Sequence, residues 1–465
     1  MGQFSPRDRI TSLLIAALSA CTLSAAVCAQ APAQGSKVPA AVVKKVTDTV
    51  DSDSARLQAI FKDIHQNPEL GFMETRTAAI VAKELQALGY DVKTGIGKTG
   101  VVGILRNGPG PVVMFRADMD ANAVEEATGL PYASKARVKL ASGVEVPVAH
   151  LCGHDAHVTW LLGVAKAMAA LKADWKGTLV LVAQPAEEQI LGAAEMVRDG
   201  LYTRHGVPKP DYLVGLHTSP VPTGVVAFKA GDVNAGTDQL DVTFRGIGGH
   251  GSAPHLTKDP VLMAAAAVVQ YQFIVSRAID PLNAAVLTVG SIQAGSDNNV
   301  IPSSALVKIN LRWYDEADRK RMLDGIESIN QSIASAYGLP AELKPTTVMK
   351  GGSKVLSNDP GMAKTVMPAL QSLLGEKAVI VDVPKVMGSE DFHHLVIDNE
   401  TRRYLYMYVG SAKPEHFQRA QAQGKLLPYS NHNPDYQVDL DAIPLGAKVG
   451  TVSVLEFLAQ GAGGR

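Results

Sequence analysis

Cysteine is nearly absent from this chain of 465 residues, which contains only three. Cys21 and Cys28 lie in an apolar N-terminal segment, and Cys152 stands alone in the remainder. If that segment is removed, no disulfide can form within the mature chain. A single thiol in an oxidising compartment is usually avoided, so we expect Cys152 to be either buried and inert or a ligand or nucleophile.

The chain also lacks an excess of charge of either sign. Its 44 Lys and Arg residues balance 45 Asp and Glu residues, which gives a formal net charge of −1. No basic field attracts a phosphate backbone, so nucleic acid is not an expected partner. The motifs HExxH, GxSxG and the phosphate-binding loop are missing as well, which leaves zincins, serine hydrolases and nucleotide kinases without support.

The N-terminus has the pattern of an export signal. Two arginines precede an apolar run over residues 10–29, which ends in Ala-Val-Cys-Ala with small residues at the cleavage-site positions. We predict a signal peptide over 1–29, a linker over 30–48 and a periplasmic location. The run is interrupted by Ser and Thr, which disfavours a membrane anchor. The segment Leu-Ser-Ala-Cys ending at Cys21 resembles a lipidation box and leaves a lipoprotein as the second alternative.

Alternating helix and strand patterns from about residue 50 predict an α/β fold. The apolar runs 178–183 and 212–216 are typical of parallel strands buried on both faces, and an amphipathic helix fits 157–171. From 231 to 349 the predicted order is β-α-β-β-α-β, with its last strand at 341–348, as in a ferredoxin-like unit. We therefore expect a doubly wound catalytic domain in two parts, 49–230 and 350–465, with an inserted lid or dimerisation domain over 231–349.

Polar residues gather where the predicted strands end. Asp118 follows one apolar run, the pair Glu187 and Glu188 follows the second, and His217 follows the third. Ligands of open α/β sheets bind beyond the carboxyl ends of the strands. The sequence therefore predicts that these side chains share one site.

The segment His-Leu-Cys-Gly-His-Asp-Ala-His, residues 150–157, precedes the predicted helix. Cysteine, histidine and glutamate together are ligands of first-row transition metals. A buried thiol beside helix-capping histidines explains the segment equally well by itself, and adjacent glutamates usually form a solvated turn. Taken with the strand-end residues, a metal site is favoured, in which one of Glu187 and Glu188 binds metal and the other acts as general base on a bound water.

At these residues the chain resembles the M20 metallopeptidase family, specifically its amidohydrolase branch of hippurate, N-acyl-amino-acid and auxin-conjugate hydrolases. The likeness extends over about 50–460 and includes the segments Arg-Ala-Asp-Met-Asp, Cys-Gly-His-Asp-Ala-His, Gln-Pro-Ala-Glu-Glu, Gly-Gly-His-Gly, Asn-Val-Ile-Pro and Met-Gly-Ser-Glu-Asp-Phe. The resemblance implies hydrolysis of the amide bond of N-acyl amino acids with two divalent metal ions, manganese or zinc.

The resemblance also implies roles for single residues. Glu187 would be the general base, and the metal ligands would be Cys152 (bridging), His154, Glu188, His217 and His432. Asp118 would orient a metal ligand. His157 stays a weaker ligand candidate, and spacing alone leaves His393 or His416 open as the last ligand.

In the inserted domain, the resemblance implies that His250 reaches toward the substrate's carbonyl oxygen, often from the partner subunit of a homodimer formed through this domain. Asn299 and Arg312 would hold the substrate, although a surface charge at a strand end accounts for Arg312 nearly as well. The expected substrate is a small N-acyl amino acid or a short peptide.

Two other functions stay open at this point. One is a dipeptidase or carboxypeptidase of the same family, against which Cys152 argues, because other branches have an aspartate there. The other is an exported solute-binding protein without catalysis, which a two-domain chain would also suit.

Overall fold

The computed structural model describes residues 35–396 and 403–461, so the predicted signal peptide over 1–29 lies outside the described residues. The described residues from Ser36 onward belong to one compact unit. The first helix starts at Ala40, inside the segment predicted as linker, and buries Val42, Val43 and Val46. The linker prediction over 30–48 is therefore wrong from Ala40 onward, because these valines are spaced to face the core from a helix.

The α-helices of the described residues are α1 (Ala40–Gln66), α2 (Thr75–Ala87), α3 (His154–Ala170), α4 (Gly192–Arg198), α5 (Pro260–Phe273), α6 (Glu316–Ala336), α7 (Pro360–Leu374), α8 (Pro414–Ala422) and α9 (Ala442–Leu458). The strands are β1 (Asp91–Ile96), β2 (Gly100–Asn107), β3 (Val112–Asp118), β4 (Arg137–Lys139), β5 (Glu145–Pro147), β6 (Gly177–Gln184), β7 (Tyr212–Pro222), β8 (Val226–Phe228), β9 (Gly231–Asn234), β10 (Gly236–Arg245), β11 (Gly249–His250), β12 (Val286–Ala294), β13 (Val300–Ile301), β14 (Ser304–Trp313), β15 (Thr346–Ser353), β16 (Leu356–Asn358), β17 (Val379–Val381) and β18 (Tyr404–Ala412).

The larger domain is built on an eight-stranded sheet in the order β1-β2-β6-β3-β7-β18-β8-β17. Its centre, β6-β3-β7-β18, is parallel, as the continuously apolar runs predict. The pairs β1-β2, β2-β6 and β18-β8 are antiparallel, so the sheet as a whole is mixed. The carboxyl ends of the central strands therefore meet at one edge.

Helices cover both faces of this sheet. On one face α3 packs against α1 and α9, and α7 packs against α9, over the largest hydrophobic core. On the other face α4 and the turn at 392–395 cover a smaller core that includes Met114, Val180 and Phe392. This arrangement confirms the predicted doubly wound α/β class.

The smaller domain contains a separate antiparallel sheet in the order β12-β14-β10-β15, with α5 and α6 packed against it around a core of its own. In chain order its main elements are β10-α5-β12-β14-α6-β15, the ferredoxin-like order that the sequence predicts. The last strand occupies Thr346–Ser353 rather than 341–348, because Pro340 starts a helical turn over Ala341–Leu343. The strand thus runs past residue 349, the predicted end of the domain.

Candidate metal centre

The central strands bring the predicted residues to one edge of the large sheet. Asp118 ends β3 and pairs in register with Gln184, the last residue of β6, and Glu187 and Glu188 come two residues after that strand ends. His217 lies within β7 rather than after it. The strands thus continue past the apolar runs, and β3 and β6 end on the polar residues Asp118 and Gln184.

Gly153 turns the chain between Cys152 and α3. It has a positive φ of 84°, and a Cβ at this position would lie 2.4 Å from Thr218 Oγ1. Only glycine fits this conformation and this close approach. As a result Cys152 and His154, on either side of the glycine, both face the end of the sheet.

Two trios of side chains share the Cys152 sulfur. Cys152, His154 and His217 form one trio, and Cys152, Glu188 and His432 form the other; within each trio the ligand atoms lie within 4.8 Å of one another. Cys152 Sγ is 3.5 Å from His217 Nε2, and His432 Nε2 is 3.1 Å from Glu188 Oε1. The five predicted ligands are therefore together, in an arrangement that could hold two cations with a common thiolate.

Backbone carbonyls orient two of the imidazoles. His154 Nδ1 lies 2.8 Å from the Asp120 carbonyl oxygen, and His217 Nδ1 lies 2.6 Å from that of Thr218. A carbonyl oxygen only accepts, so each Nδ1 carries the proton and each Nε2 presents a lone pair to the site. His154 Nε2 is buried without a hydrogen-bond partner, an unfavourable state that a bound cation would relieve. The donor set therefore fits a transition-metal ion.

The cysteine is held ready to bind as a thiolate. Burial and the Glu188 carboxylate raise the pKa of Cys152, but the histidines His217 and His154 outweigh them and bring it down to about 6. Asn431 Nδ2 also donates a hydrogen bond to the sulfur over 3.3 Å. The lone cysteine is thus buried but not inert, because its neighbours favour the form that binds metals.

The two adjacent glutamates have opposite properties. Burial, Glu390 and Glu188 raise the pKa of Glu187 well above its usual value. Burial also disfavours the charged form of Glu188, but a hydrogen bond from His432 brings its pKa down to about 2. A carboxylate with a low pKa suits a ligand, whereas one with a raised pKa suits proton transfer.

His157 is paired with Asp118 below the candidate ligands. His157 Nδ1 donates to Asp118 Oδ1 over 2.5 Å, and its Nε2 accepts from the Thr218 N–H over 2.9 Å. Both ring nitrogens are therefore occupied, which removes His157 as a metal ligand. Asp118 binds this histidine through Oδ1, and its Oδ2 lies 3.7 Å from Nε2 of the predicted ligand His154.

Of the three histidines considered for the last ligand, only His432 lies beside Glu188. His393 is buried against the rings of Phe392 and Tyr404, and His416 lies on α8. His432 has a positive φ of 65°, and its N–H donates to the Leu151 carbonyl over 2.7 Å. The chain before Cys152 thus holds the loop that carries His432.

Two residues of the Arg-Ala-Asp-Met-Asp segment support the site, although the sequence suggested a role only for Asp118 between them. Asp120 accepts hydrogen bonds from the Glu187 and Glu188 amides, each over 3.0 Å. Arg116 is buried under the site and binds Asp118 and Glu390. Their signal was available, because Asp120 and Arg116 belong to the same short segment as Asp118.

The inserted domain contributes Arg312 but not the other two predicted residues. Arg312, on β14, is partly buried; its Nη1 donates to Ser389 Oγ, and its Nε donates to Asn310 Oδ1 over 2.7 Å. It is therefore not a free surface charge. His250 ends β11 and pairs with Val300 of β13, and Asn299 directly precedes β13, where its carbonyl accepts from the Gly251 N–H. Within the described part of the chain, no hydrogen bond or ion pair joins His250 or Asn299 to the Cys152 cluster.

Comparison with known sequences gives the family. The pattern of peptidase family M20/M25/M40 matches residues 114–454. The chain belongs to this family. It is 37% identical to the hippurate hydrolase of Campylobacter jejuni over 75% of this chain and 89% of that protein. It is 34% identical to thermostable carboxypeptidase 2 of Saccharolobus solfataricus over 90% and 99%.

A solved structure agrees with the fold. The YXEP protein of Bacillus subtilis, described as a dinuclear metal binding peptidase from the M20 family, superposes with a TM-score of 0.65 at 24% identity, over 88% of this chain and 99% of that one. As a member of the family, the chain is a hydrolase that acts on amide or peptide bonds. A solute-binding protein without catalysis does not fit that membership.

Proposed function

We propose that this chain hydrolyses the amide bond of N-acyl amino acids, with Glu187 as general base and two divalent metal ions, manganese or zinc, held around Cys152. One observation carries the proposal: Glu187 and Glu188 lie beside Cys152 and His154, whose Nε2 is buried without a hydrogen-bond partner, and the pKa values of the two carboxylates are shifted in opposite directions. When the pKa values of neighbouring carboxylates are shifted in opposite directions, the one with the lowered pKa suits a ligand and the one with the raised pKa suits an acid or base.

Cys152, His154, Glu188, His217 and His432 would hold the metal ions, with the cysteine common to both. Ions bound there would polarise the substrate's carbonyl group and make water a better nucleophile near neutral pH. Thiolate and imidazole donors favour zinc by softness, whereas the resemblance to the amidohydrolase branch suggests manganese.

Glu187 performs the proton transfers in this proposal. Its carboxylate oxygen is 3.8 Å from His154 Nε2, so it faces the same space as the ligands. Its raised pKa lets it accept a proton from the attacking water and deliver that proton to the departing nitrogen near neutral pH. Asp120 fixes the backbone of Glu187 and so keeps the carboxylate on the site.

The substrate class follows from what the relatives have in common. Hippurate and the substrates of a carboxypeptidase both release an amino acid with a free carboxylate. Arg312 offers a partly buried cation whose charge interacts with that of Glu187. It would bind this carboxylate. Cys152 favours N-acyl amino acids, while the carboxypeptidase relatives support short peptides as the second candidate.

The test combines one variant with a substrate panel. We expect Glu187→Gln to lower kcat at least about a hundredfold, with unchanged metal content, because only the proton acceptor is lost. The exposed Glu125→Gln variant is the matched control and should keep wild-type kcat. A fully active Glu187→Gln variant would refute the assigned role. Among hippurate, N-acetyl amino acids and dipeptides, turnover of dipeptides alone would refute the preferred substrate class.

We further propose a homodimer formed through the inserted domain. The outer face of α5 exposes Val261, Leu262, Val269 and Phe273, and β12 beside it is an edge strand. Pro260–Ala278 is also long and apolar enough to cross a membrane by length and composition alone, but its other face packs on the small sheet. A second copy would cover both the apolar face and the free edge.

Light scattering tests the dimer. Phe273→Glu on α5 should give a monomer, whereas Val348→Glu on the opposite edge strand β15 should stay dimeric. If the partner subunit supplies a histidine, kcat falls together with dimer content. A monomeric wild-type protein, or a dimer unaffected by Phe273→Glu, would contradict the proposal.

Export with cleavage after Ala29 also stays a proposal, supported by the N-terminal pattern and by Cys152 being the sole cysteine beyond it. Mass spectrometry of the exported protein should find an N-terminus at Gln30. A lipid on Cys21 would instead establish the lipoprotein alternative.

A further inference from the structure

The turn after β6 carries Glu187 and Glu188 in a conformation that its residues do not favour. Ala186 has φ of 49° and Ile190 has φ of 55°, both in the left-handed region. Residues other than glycine adopt this region at a cost, and they keep it only where the surroundings impose it. The direction of both glutamate side chains therefore depends on whatever holds this turn.

Two carboxylates hold it through successive amides. The Ala186 N–H donates to Glu74 Oε1 over 2.9 Å, and the next two N–H groups donate to Asp120 over 3.0 Å each. Asp120 follows β3, within the catalytic sheet, whereas Glu74 comes from the loop that starts α2. Asp120 and Glu74 thus fix the turn from two sides, and Glu74 is the one that binds the strained residue Ala186.

Glu74 is fully buried, with an exposed fraction of 0%. Its second oxygen accepts from Thr99 Oγ1 over 2.5 Å, so both recorded side-chain partners are neutral donors. Burial raises the pKa of Glu74 to about 7. Burying a carboxyl group that is held by neutral donors alone costs free energy, so Glu74 is not explained by a contribution to stability.

The loop that carries Glu74 also lies directly against the turn. A Cβ on Gly71 would lie 3.1 Å from Ala186 Cα and 2.7 Å from Gln189 Nε2. Gln189 Nε2 itself donates to the Gly71 carbonyl over 3.3 Å. The loop therefore packs closely against the turn at Ala186.

We propose that Glu74 is a positioning residue for catalysis: by binding the Ala186 N–H it holds the turn in the conformation that points Glu187 into the site. This inference rests on the proposed role of Glu187 as general base. Glu74 contacts neither the five candidate ligands nor the reacting atoms, so it acts only through the backbone of residue 186.

Three substitutions separate the hydrogen bond from the volume and the charge. Glu74→Met fills a similar space but leaves the Ala186 N–H without an acceptor. Glu74→Asp keeps the charge but is one methylene too short to reach both partners. Glu74→Gln keeps an acceptor for Ala186, and its NH₂ can donate to Thr99, whose hydroxyl accepts equally well. Glu74→Asp keeps the test usable if Glu74→Met does not fold.

We expect kcat to fall about tenfold or more in Glu74→Met and Glu74→Asp, because a misplacement of about 1 Å can cost on the order of a hundredfold in rate. KM should stay within about twofold, since no substrate contact changes. Glu74→Gln should restore kcat to within about threefold of wild type. In hydrogen exchange, the peptide over 184–190 should lose protection in Glu74→Met and keep it in Glu74→Gln.

Glu69 provides the matched control, because it lies in the same loop but accepts hydrogen bonds from the Arg76 and Thr77 amides at the start of α2. Glu69→Gln should lower the melting temperature and leave kcat unchanged. Wild-type kcat in both Glu74→Met and Glu74→Asp, or no rescue by Glu74→Gln, would overturn the inference. An equal loss of kcat in Glu69→Gln would do so too.

Measuring Glu187→Gln in parallel separates two kinds of failure. If Glu187→Gln is inactive while Glu74→Met has wild-type kcat, only the positioning role of Glu74 is refuted. If Glu187→Gln is fully active, the general base itself has been assigned wrongly, whatever the Glu74 variants do.

Discussion

Removal of the buried guanidinium of Arg116 should destabilise the catalytic domain strongly. Its Nη1 donates to Asp118 over 2.6 Å, its Nη2 to Glu390 over 2.9 Å and to Asp391 over 3.3 Å, and its Nε to Gln184 over 2.8 Å. One cation thus faces three carboxylates that are almost fully buried. These partners come from β3, from the end of β6 and from the chain around residue 390, so the arginine links both parts of the domain.

Arg116→Met keeps most of the apolar stem and leaves the carboxylates without their cation. Breaking a buried charge pair by removing one partner costs about 3–5 kcal/mol. Lys320→Met is the control, since the Lys320–Asp324 pair on α6 is 74% and 65% exposed and such pairs contribute about 0–1 kcal/mol. The two variants should therefore differ by at least about 2 kcal/mol in the free energy of unfolding.

Denaturation followed by tryptophan fluorescence measures this difference. Trp160 and Trp175 report on the catalytic domain and Trp313 on the inserted domain, so a Trp313→Phe background isolates the transition of interest. The loss of unfolding free energy in Arg116→Met should grow as the pH rises. Without the arginine the three carboxylates repel one another, and only the binding of protons at lower pH removes this repulsion. A loss below about 1 kcal/mol would refute the reasoning, since it would mean that the carboxylates do not need the arginine.

Three further predictions concern packing, pH and metal. Gly446→Ala should lower the unfolding free energy by about 1–3 kcal/mol in thermal melts, because its Cβ would lie 2.2 Å from the Trp160 ring. Gly290→Ala is the control: its Cβ would meet nothing within 4 Å, so the unfolding free energy should not change. Despite burial, hydrogen bonds to Asp155 and Glu126 raise the pKa of His65 to about 9. The stabilisation by protonated His65 is complete below pH 6.5 and disappears as the pH rises through about 9, so the stability difference between wild type and His65→Gln should shrink across that range. A strong chelator should abolish activity and lower the melting temperature, with both restored by manganese or zinc; unchanged activity after verified metal removal would contradict the metal site.

The fold class could be predicted because its signals are local. Apolar runs such as 178–183 identify buried parallel strands, and the order of elements after residue 231 identifies the ferredoxin-like unit. The ends of helices, strands and domains were harder to predict, because they depend on contacts outside each local pattern. The valines of α1 fit a helix in a segment predicted as linker, and Pro340 delays β15 by starting a helical turn first.

The residues that hold the site in place could not be predicted in the same way. Glu74 is 112 positions from Ala186 in the chain, and Arg116 is 274 positions from Glu390. Partners at such separations are chosen by how the sheet and helices pack, which no local pattern encodes. The role of Arg312 had the same limit, since its burial depends on a contact with Ser389 in the other domain.

The sequence by itself determined the chemistry of this protein: a lone cysteine between histidines, a pair of glutamates after a buried strand, and the order of elements that brings strand ends to one edge. Residue type and local periodicity suffice for these properties. Only the tertiary structure decided which histidines face the site. His154 and His157 lie one helical turn apart, and they differ because the Asp120 carbonyl leaves one ring nitrogen of His154 free, whereas Asp118 and the Thr218 N–H occupy both nitrogens of His157.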